Sequence, residues 1–512
     1  MKEKDLKKSA HWLSHPGFWL LLITALALIA RLYHITYPPY DSQWFRQTGN
    51  AGLIRDWYRD GINFLYPTLI SLGKPGYIVQ ELPLYQAVSA LLYRLVTPDL
   101  IVARAFTIIT GLLSVFFVYR IARRFLDNKS SLMAAFFFAF MPLDIFFQRT
   151  PMQDPLTVLF SLIMLDSLIE GTSGKKIYLV FAAVAASLGL MMKSPVVAPL
   201  FPPFFYLLWK RRNKPGGVSS KLELAGVFAV SFAAMVVWQR HANFVNDVYC
   251  NKSTYPFKDI YPTIVVKLHP FNTWYFGTIA QRLNPANYLT IMRRLTFDVL
   301  TPFGIVLFAV GAVHLASQGR ENNAFAFLSI WLFSLCLIVL LTFNLYIVHN
   351  HYLLPFCPVL SIFCGAGAGF LLDVMRKRGR WASALAVIII AAAFLVPVPS
   401  ISKKLFKGNG LGAVVGTFVG ENTEPGPLVA IVSPMSPELY DPLMLYFADR
   451  HGFTIPTDKM NSQMLDYLEQ QKVKYLAVAE AKTFEGKVAL DLKIFDISSG
   501  KPIQQAEGWK FL

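Results

Sequence analysis

Runs of mostly apolar residues, each about 16–22 long, recur along residues 18–398 of the chain. An α-helix rises about 1.5 Å per residue, so roughly 20 such residues reach across a ~30 Å hydrocarbon core. A soluble domain carries about a quarter charged residues. Here the share is 15%, with 54% hydrophobic and a mean hydropathy of +0.44 over 512 residues. These features exclude a soluble enzyme, a disordered chain and a disulfide scaffold. The chain reads as an α-helical multispanning membrane protein. About eleven spans are expected near 18–37, 101–121, 131–147, 155–170, 177–192, 195–210, 222–239, 299–316, 323–343, 352–373 and 381–398.

The net charge is +17, from 48 Lys and Arg against 31 Asp and Glu. Such a surplus can signal nucleic acid. Here it falls in short clusters between apolar blocks, where orientation signals belong, so no nucleic-acid partner is assigned. The clusters are Arg120, Arg123, Arg124 and Lys129; Lys175 and Lys176; Lys210, Arg211, Arg212, Lys214 and Lys221; and Arg376, Lys377, Arg378 and Arg380. With the N-terminal Lys2, Lys4, Lys7 and Lys8 inside, these clusters and segment 317–322 all fall inside. The first apolar block is too long for a signal h-region, and no small-residue cleavage site follows, so it reads as an uncleaved span.

The outer side then receives 38–98, 240–298, short turns near 149–154, 193–194 and 344–351, and the tail. An apolar stretch at 82–96 would invert every later loop if it crossed. It is therefore expected to lie in the interface or re-enter from outside. After residue 400 the composition changes. Short β-like runs (Leu428–Val432, Tyr475–Val478, Leu490–Phe495) alternate with helical ones (Leu443–Arg450, Met464–Gln471). The expected division is a membrane domain over 1–400 and a small α/β domain over 401–512. No GxGxxG fingerprint opens the tail. Cys250, Cys336, Cys357 and Cys364 show neither a CxxC pair nor metal-ligand spacing. Gly365 and Gly369 fit a small-xxx-small helix contact.

Chemistry-bearing residues gather at the expected outer ends of the spans. Tyr40-Asp41-Ser42-Gln43-Trp44-Phe45-Arg46-Gln47 follows the first span. A carboxylate at the lip of a span is costly to desolvate unless paired or functional. Asp41 reads either as the N-cap of a helix running to about Asp60 or as a general base, with Trp44 and Phe45 as interfacial anchors. Asp154, before Pro155, reads as a helix start or as a second acidic group on the same face as Asp41, with Arg46 and Arg149 beside them. Lys193 is a snorkelling lysine or a contact for a lipid phosphate, and Arg31 packs between helices or reaches the same level. His349, Asn350, His351 and Tyr352 read as donors at a cavity rim rather than as a metal pair. Trp274, Tyr275, Phe276, Arg282, Tyr288, Arg293 and Arg294 mark 240–298 as an interfacial helix or a cover over a site.

The order of motifs resembles a known family. After the acidic motif come Gly61-x-Asn63-x-x-Tyr66-Pro67, Glu81-Leu82-Pro83-Leu84-Tyr85, Ala103-Arg104-Ala105-Phe106 and Tyr119-Arg120-x-Ala122-Arg123-Arg124. Pro142, Asp154-Pro155, Lys193-x-Pro195 and His351-Tyr352-x-x-Pro355-x-x-Pro358 complete it. Over roughly 15–400 this resembles the GT-C-fold membrane glycosyltransferases related to protein O-mannosyltransferases and lipid A aminoarabinose transferases. The resemblance implies sugar transfer from a polyprenyl-phosphate donor to a lipid, glycan or protein acceptor, with inversion at the anomeric carbon. It implies Asp41 as the base, Asp154 as a second acidic position and Lys193 near the donor phosphate. Arg46, Gln47, Glu81, Arg149, His349, His351 and Tyr352 complete the expected donor and substrate contacts.

Many relatives carry an acidic pair at the first motif, whereas Ser42 follows Asp41 here. That weakens any divalent metal held by such a pair, and no cofactor is assigned. Trp44-Phe45-Arg46-Gln47 is closer to a bacterial subgroup with a WRQ-like motif, though with one extra residue. The expected location is the bacterial inner membrane, N-terminus cytoplasmic and tail periplasmic. The rival reading is a transporter or flippase of a lipid-linked glycan, and a third is a noncatalytic subunit that binds one. A transporter more naturally shows inverted repeats and helices broken at midplane.

Overall fold

The computed structural model describes residues 15–211, 221–250, 273–319, 323–408, 410–436, 438–484 and 487–510. Lys2, Lys4, Lys7, Lys8, Arg212, Lys214 and Arg320, together with the middle of the 240–298 segment, lie outside the described residues. The chain divides into two compact units. The first comprises Met1–Thr36, Arg104–Trp238 and His269–Phe406; the second comprises Tyr37–Ala103, Gln239–Leu268 and Lys407–Leu512. The tail thus shares a unit with the first long inter-span segment, where the sequence placed a division at 400.

Among the described residues, seven helices are long and apolar enough to cross a membrane: Leu100–Ala122, Ile177–Lys210, Leu222–Tyr249, Pro285–Ser317, Asn323–Leu341, Phe356–Arg376 and Arg380–Lys403. The shortfall from eleven has local causes. Pro16–Leu32 is helical for only 17 residues. The stretch expected at 131–147 is split into Asn128–Phe140 and Pro142–Phe147 by Met141, which is extended (φ −60°, ψ 130°). Proline disfavours helical geometry in the residue before it, which accounts for the break. Asp154–Gly171 carries three carboxylates, Asp154, Asp166 and Glu170. At the turn expected near 193–194, Lys193 is non-helical (φ −162°, ψ 86°) and two helices meet there across a kink. Pro195 causes it, having no N–H for the carbonyl one turn back.

The first unit packs around Phe356–Arg376, buried from Phe356 to Gly369. A Cβ on Gly369 would lie 1.9 Å from Ser130 Oγ, and one on Gly365 2.5 Å from the Ser130 carbonyl oxygen. On another face Gly367 meets Leu307, and Gly311 meets the Phe363 carbonyl. This is the close helix contact that the small-residue spacing predicts. Arg31 is fully buried and donates to Asp144 Oδ2 (3.0 Å), Gln148 Oε1 (2.7 Å) and the carbonyls of Ala27 and Ala139. Its role is interhelix packing, which uses up the donors that a headgroup would need. Arg120 pairs with Asp166 at 2.8 Å, Arg124 with Asp166 and Glu170, and Lys175 with Glu170 at 3.0 Å. Two of the basic clusters therefore also neutralise carboxylates buried on the helix Asp154–Gly171. Large apolar side chains such as Leu21, Ile29, Val313, Phe333 and Trp381 stay exposed on the outside of the spans, a surface that a bilayer covers.

In the second unit the tail builds a five-stranded sheet in the order β2-β1-β3-β4-β5. The strands are β1 Leu428–Ser433, β2 Gly452–Pro456, β3 Val473–Phe484, β4 Lys487–Asp496 and β5 Pro502–Lys510. β1 runs parallel to β2 and β3, and the rest is antiparallel. Alternate residues of a strand face opposite sides. Val429 and Ile431 accordingly pack with helices Gly410–Glu421 and Leu443–Ala448, while Ala430 and Val432 pack with Met464 and Leu468 of Ser462–Gln470. Cover on both faces explains why β1 is apolar from Leu428 to Val432.

The edge of β2 is taken up by residues 70–73. Gly452 N donates to the Ile70 carbonyl and Gly73 N to the Gly452 carbonyl, both at 2.9 Å. Ile70 is fully buried in the same core as Val429 and Ile431. The stretch 82–96 holds the helix Leu84–Leu95 of 12 residues, about 18 Å long and too short to cross. It buries Tyr85, Gln86, Ala90 and Tyr93 and exposes Leu91 and Leu95.

Candidate active site

The sequence candidates fall into two sets, one in each unit. In the second unit the helix Trp44–Asp60 starts after Gln43, whose backbone is left-handed (φ 64°), and no side chain caps it. Asp41 is therefore not its N-cap. Its carboxylate is fully buried and accepts a hydrogen bond from Gln47 Nε2 at 2.5 Å. The same amide donates to the Ser42 carbonyl at 2.8 Å. Gln47, itself fully buried, thus clamps the turn that carries Asp41. Burial and Tyr37, with the Asp41 charge adding to them, push the neighbouring Tyr40 phenol up to about 12.

Successive helical residues point about 100° apart, so Arg46 faces elsewhere than Gln47. Its guanidinium lies 3.2 Å from Glu81 Oε2 and 3.4 Å from Gln80 Oε1. The structure thus pairs two sequence candidates, Arg46 and Glu81, with each other. Trp44 and Phe45, expected as interfacial anchors, also meet residues of the tail. Trp44 Nε1 donates to Asp441 Oδ2 at 3.1 Å, and the Phe45 ring meets Tyr440 edge-on at 5.9 Å. An indole N–H and a ring edge have found protein partners in the tail where the sequence suggested headgroups.

Asp441 is the residue sequence reasoning missed. It is buried, and its other oxygen accepts from Leu443 N at 2.9 Å. Burial pushes its carboxyl up, against the hydrogen bonds from Leu443 and Trp44. A signal existed: Asp441-Pro442 repeats the Asp-Pro pair of 154–155 and likewise precedes a helix.

In the first unit Asp154 opens the helix Asp154–Gly171 but makes no capping bond. Its Oδ1 instead takes the Lys193 ammonium at 2.6 Å, with His351 Nε2 at 4.0 Å. Lys193 Nζ lies 4.0 Å from the centroid of the Tyr352 ring. His351 stacks near Tyr352 (4.7 Å) and His349 (5.1 Å), and His349 meets Trp274 at 6.2 Å. The kink at Lys193 is what turns an ammonium from a span toward this group. Asp154, Lys193, His351 and Tyr352 are all buried. Arg149 is buried too, donating to the His34 carbonyl at 3.2 Å with its guanidinium between Phe146 and Phe406.

Of the 240–298 residues, Arg282 and Arg294 bond carbonyls near the ends of neighbouring helices, Leu341 at 3.0 Å and Tyr346 and Ile347 at 2.9 Å. That use resembles the cationic capping of helix C-termini. Among the described residues no three His, Cys, Asp or Glu side chains converge as a metal site requires.

Comparison with known proteins gives the fold. Residues 78–238 match the sequence profile of the dolichyl-phosphate-mannose-protein mannosyltransferase family. ArnT from Cupriavidus metallidurans bound to undecaprenyl phosphate superposes with a TM-score of 0.59 at 13% identity, covering 90% of this chain and 93% of that one. The archaeal oligosaccharyltransferase AglB from Archaeoglobus fulgidus, in complex with an inhibitory peptide and a dolichol-phosphate, gives 0.55 at 13% identity, covering 90% of this chain and 69% of that one. No curated protein sequence matches the chain. The protein has the GT-C membrane glycosyltransferase fold. The profile match spans 78–238 only, and at 13% identity the likeness to ArnT and AglB is one of fold.

Proposed function

We propose that this protein transfers a sugar from a polyprenyl-phosphate donor to a lipid, glycan or protein acceptor at the periplasmic face of a bacterial inner membrane, by single displacement with inversion. The observation that carries the reading is Asp41: a fully buried carboxylate, not spent on a helix cap, oriented by the side-chain amide of Gln47. A carboxylate accepts from several donors at once, so a neutral amide orients it without cancelling its charge. In the reaction the acceptor oxygen or nitrogen bonds to the anomeric carbon as the bond to the phosphate oxygen breaks. The acceptor's proton passes to Asp41, and the polyprenyl phosphate leaves with the electron pair. Its phosphate is already a good leaving group and needs cations more than an acid. Lys193, held by Asp154 and Tyr352, is assigned to it, with Arg149 as the second cation. Arg46, Glu81, Gln47, His349, His351 and Tyr352 complete the substrate contacts.

Support comes from the fold, shared with structures that hold undecaprenyl phosphate and dolichol-phosphate. The test is sugar release from a labelled polyprenyl-phosphate sugar by protein purified in detergent, wild type beside Asp41→Asn. The expected result is turnover without a gradient, falling about 10²–10⁴-fold in the variant while donor still binds. Equal rates would remove Asp41 as base. No turnover by either protein across a panel of donors would overturn the enzyme reading.

A further inference from the structure

The second unit contains a cleft of about 990 Å³ that the chemistry above does not use. Its walls come from the C-terminal end of the helix Trp44–Asp60, the segment 61–77 and the tail near 425–426 and 449–451. The volume lies at the upper end of the ~300–1,000 Å³ usual for small-molecule sites, room for several rings rather than one ion. Asp56 lies 12 residues beyond the helix start, about 18 Å along the axis. The cleft is thus remote from Asp41 on that helix and is a place to bind, not to react.

Its lining names the ligand class. Arg59 holds Asp449 in a two-pronged fork, both bonds 2.8 Å, with Arg55 at 3.1 Å. Asp56 meets His451 Nε2 at 3.2 Å and Thr68 Oγ1 at 3.4 Å. Donors and acceptors therefore stand side by side in fixed positions, as sugar hydroxyls require, since each hydroxyl both donates and accepts. Arg450 lines the cleft but is occupied by backbone carbonyls, among them Gly420 at 2.9 Å. With Asp56, Asp60 and Asp449 set against Arg59, Lys74 and Arg450, the lining carries no cationic surplus to select a phosphate or a nucleotide.

The apolar partner for a sugar ring is also present. Tyr66 and Tyr77 are half-buried, 5.5 Å apart at 59°, and Tyr77 is braced by Tyr249 at 5.0 Å. Beyond Tyr77 a second cavity of about 340 Å³ continues along Lys74, Pro75 and Tyr249 to Tyr467, Gln470 and Gln471. Aromatic faces with interleaved amides and carboxylates over two adjoining lobes suit a chain of sugars better than a single ring.

We infer that this cleft binds an oligosaccharide of neutral or amino sugars. The assignment rests on the cleft alone and stands whether or not the Asp41 site transfers a sugar. The test is binding of the full-length, detergent-purified protein, without lipid donor, to an array of short neutral, amino and acidic oligosaccharides. Affinity for the best-bound glycan is then measured across variants. Neutral or amino oligosaccharides should be retained. Tyr77→Ala should weaken binding about tenfold, a loss of roughly 1.4 kcal/mol, while Tyr77→Phe keeps the ring and stays within about twofold. Should Tyr77→Ala fail to fold, exposed Asp60→Asn decides, with an expected loss of about threefold or more. Retention of no glycan, retention of acidic glycans only, or binding indifferent to both Tyr77→Ala and Asp60→Asn would each overturn the inference.

Discussion

Asp41 and Asp154 look alike in the sequence: each follows a span, each has an arginine nearby, and each precedes a helix. Their surroundings differ in kind. Asp41 is oriented by a neutral amide, whereas Asp154 is bonded to an ammonium at 2.6 Å. The Gln47 contact orients Asp41 through a neutral N–H, whereas the Lys193 contact is an ion pair. The pair at Asp154 is accordingly a means of holding a cation in a buried place, where an unpaired lysine would be costly. The difference separates the base expected at Asp41 from the second acidic position expected at Asp154.

The sharpest break of that comparison sets Asp41→Asn beside Asp154→Asn. The first should lower turnover by about 10²–10⁴ and leave thermal unfolding nearly unchanged. Asp154→Asn should act on stability, by about 3–5 kcal/mol, because Lys193 loses the carboxylate that compensates its buried charge. The double change Asp154→Leu with Lys193→Met should recover most of that loss in a thermal melt. A single-site loss that the double variant fails to restore would mean the pair is not the source of the effect.

A smaller effect is expected where the acidic motif is held from the tail. Trp44→Phe removes the indole donor to buried Asp441 and should cost about 1.5–3 kcal/mol in unfolding, with a raised KM if the motif shifts. The smallest concerns the Arg59–Asp449 fork. Burial pushes the Asp449 carboxyl up, but the hydrogen bond from Arg59 and the charges of Arg55, Arg59 and Arg450 outweigh it and hold it below its usual range. A depressed carboxylate pKa stabilises above the unfolded value of about 3.9 and is lost as pH falls through the lowered one. The Asp449→Asn melt should therefore lie below wild type at pH 7, by at most about 1 kcal/mol for a pair this exposed. The gap should close below about pH 4. A gap that widens in acid would refute the assignment.

The sequence made the apolar helices visible because hydropathy is local, and Gly365 and Gly369 visible because their spacing is. Hydropathy did not show where one residue changes the backbone, as at Met141 and Lys193, nor which partners the carboxylates of the helix Asp154–Gly171 find. β1, β3 and β4 were legible as apolar runs. β2 was not, because Gly452-Phe453-Thr454-Ile455-Pro456 is short and ends in proline, nor was the polar β5. The partners of the candidate residues were harder still. Nothing near Arg31 announces Asp144, and nothing near Trp44 announces Asp441, since these pairs meet 113 and 397 residues apart. Roles that depend on one residue's own chemistry could be read; roles set by a distant neighbour could not.

The strip of backbone from Ile70 to Gly73 that closes the edge of β2 has a consequence for biosynthesis. Ser71 bonds the Tyr440 carbonyl 369 positions later, and at ~5–20 residues per second the ribosome needs roughly 20–70 s to supply that partner. For that interval the Ile70 carbonyl and the Gly73 amide wait without the Gly452 groups they bond, while the chain between is threaded into the bilayer. The first long segment to emerge from the membrane is thus among the last to acquire its final form. A nascent chain halted before residue 452 would carry the acidic motif but not the strand that 70–73 pairs with, and proteolysis of such stalled chains should find this segment open.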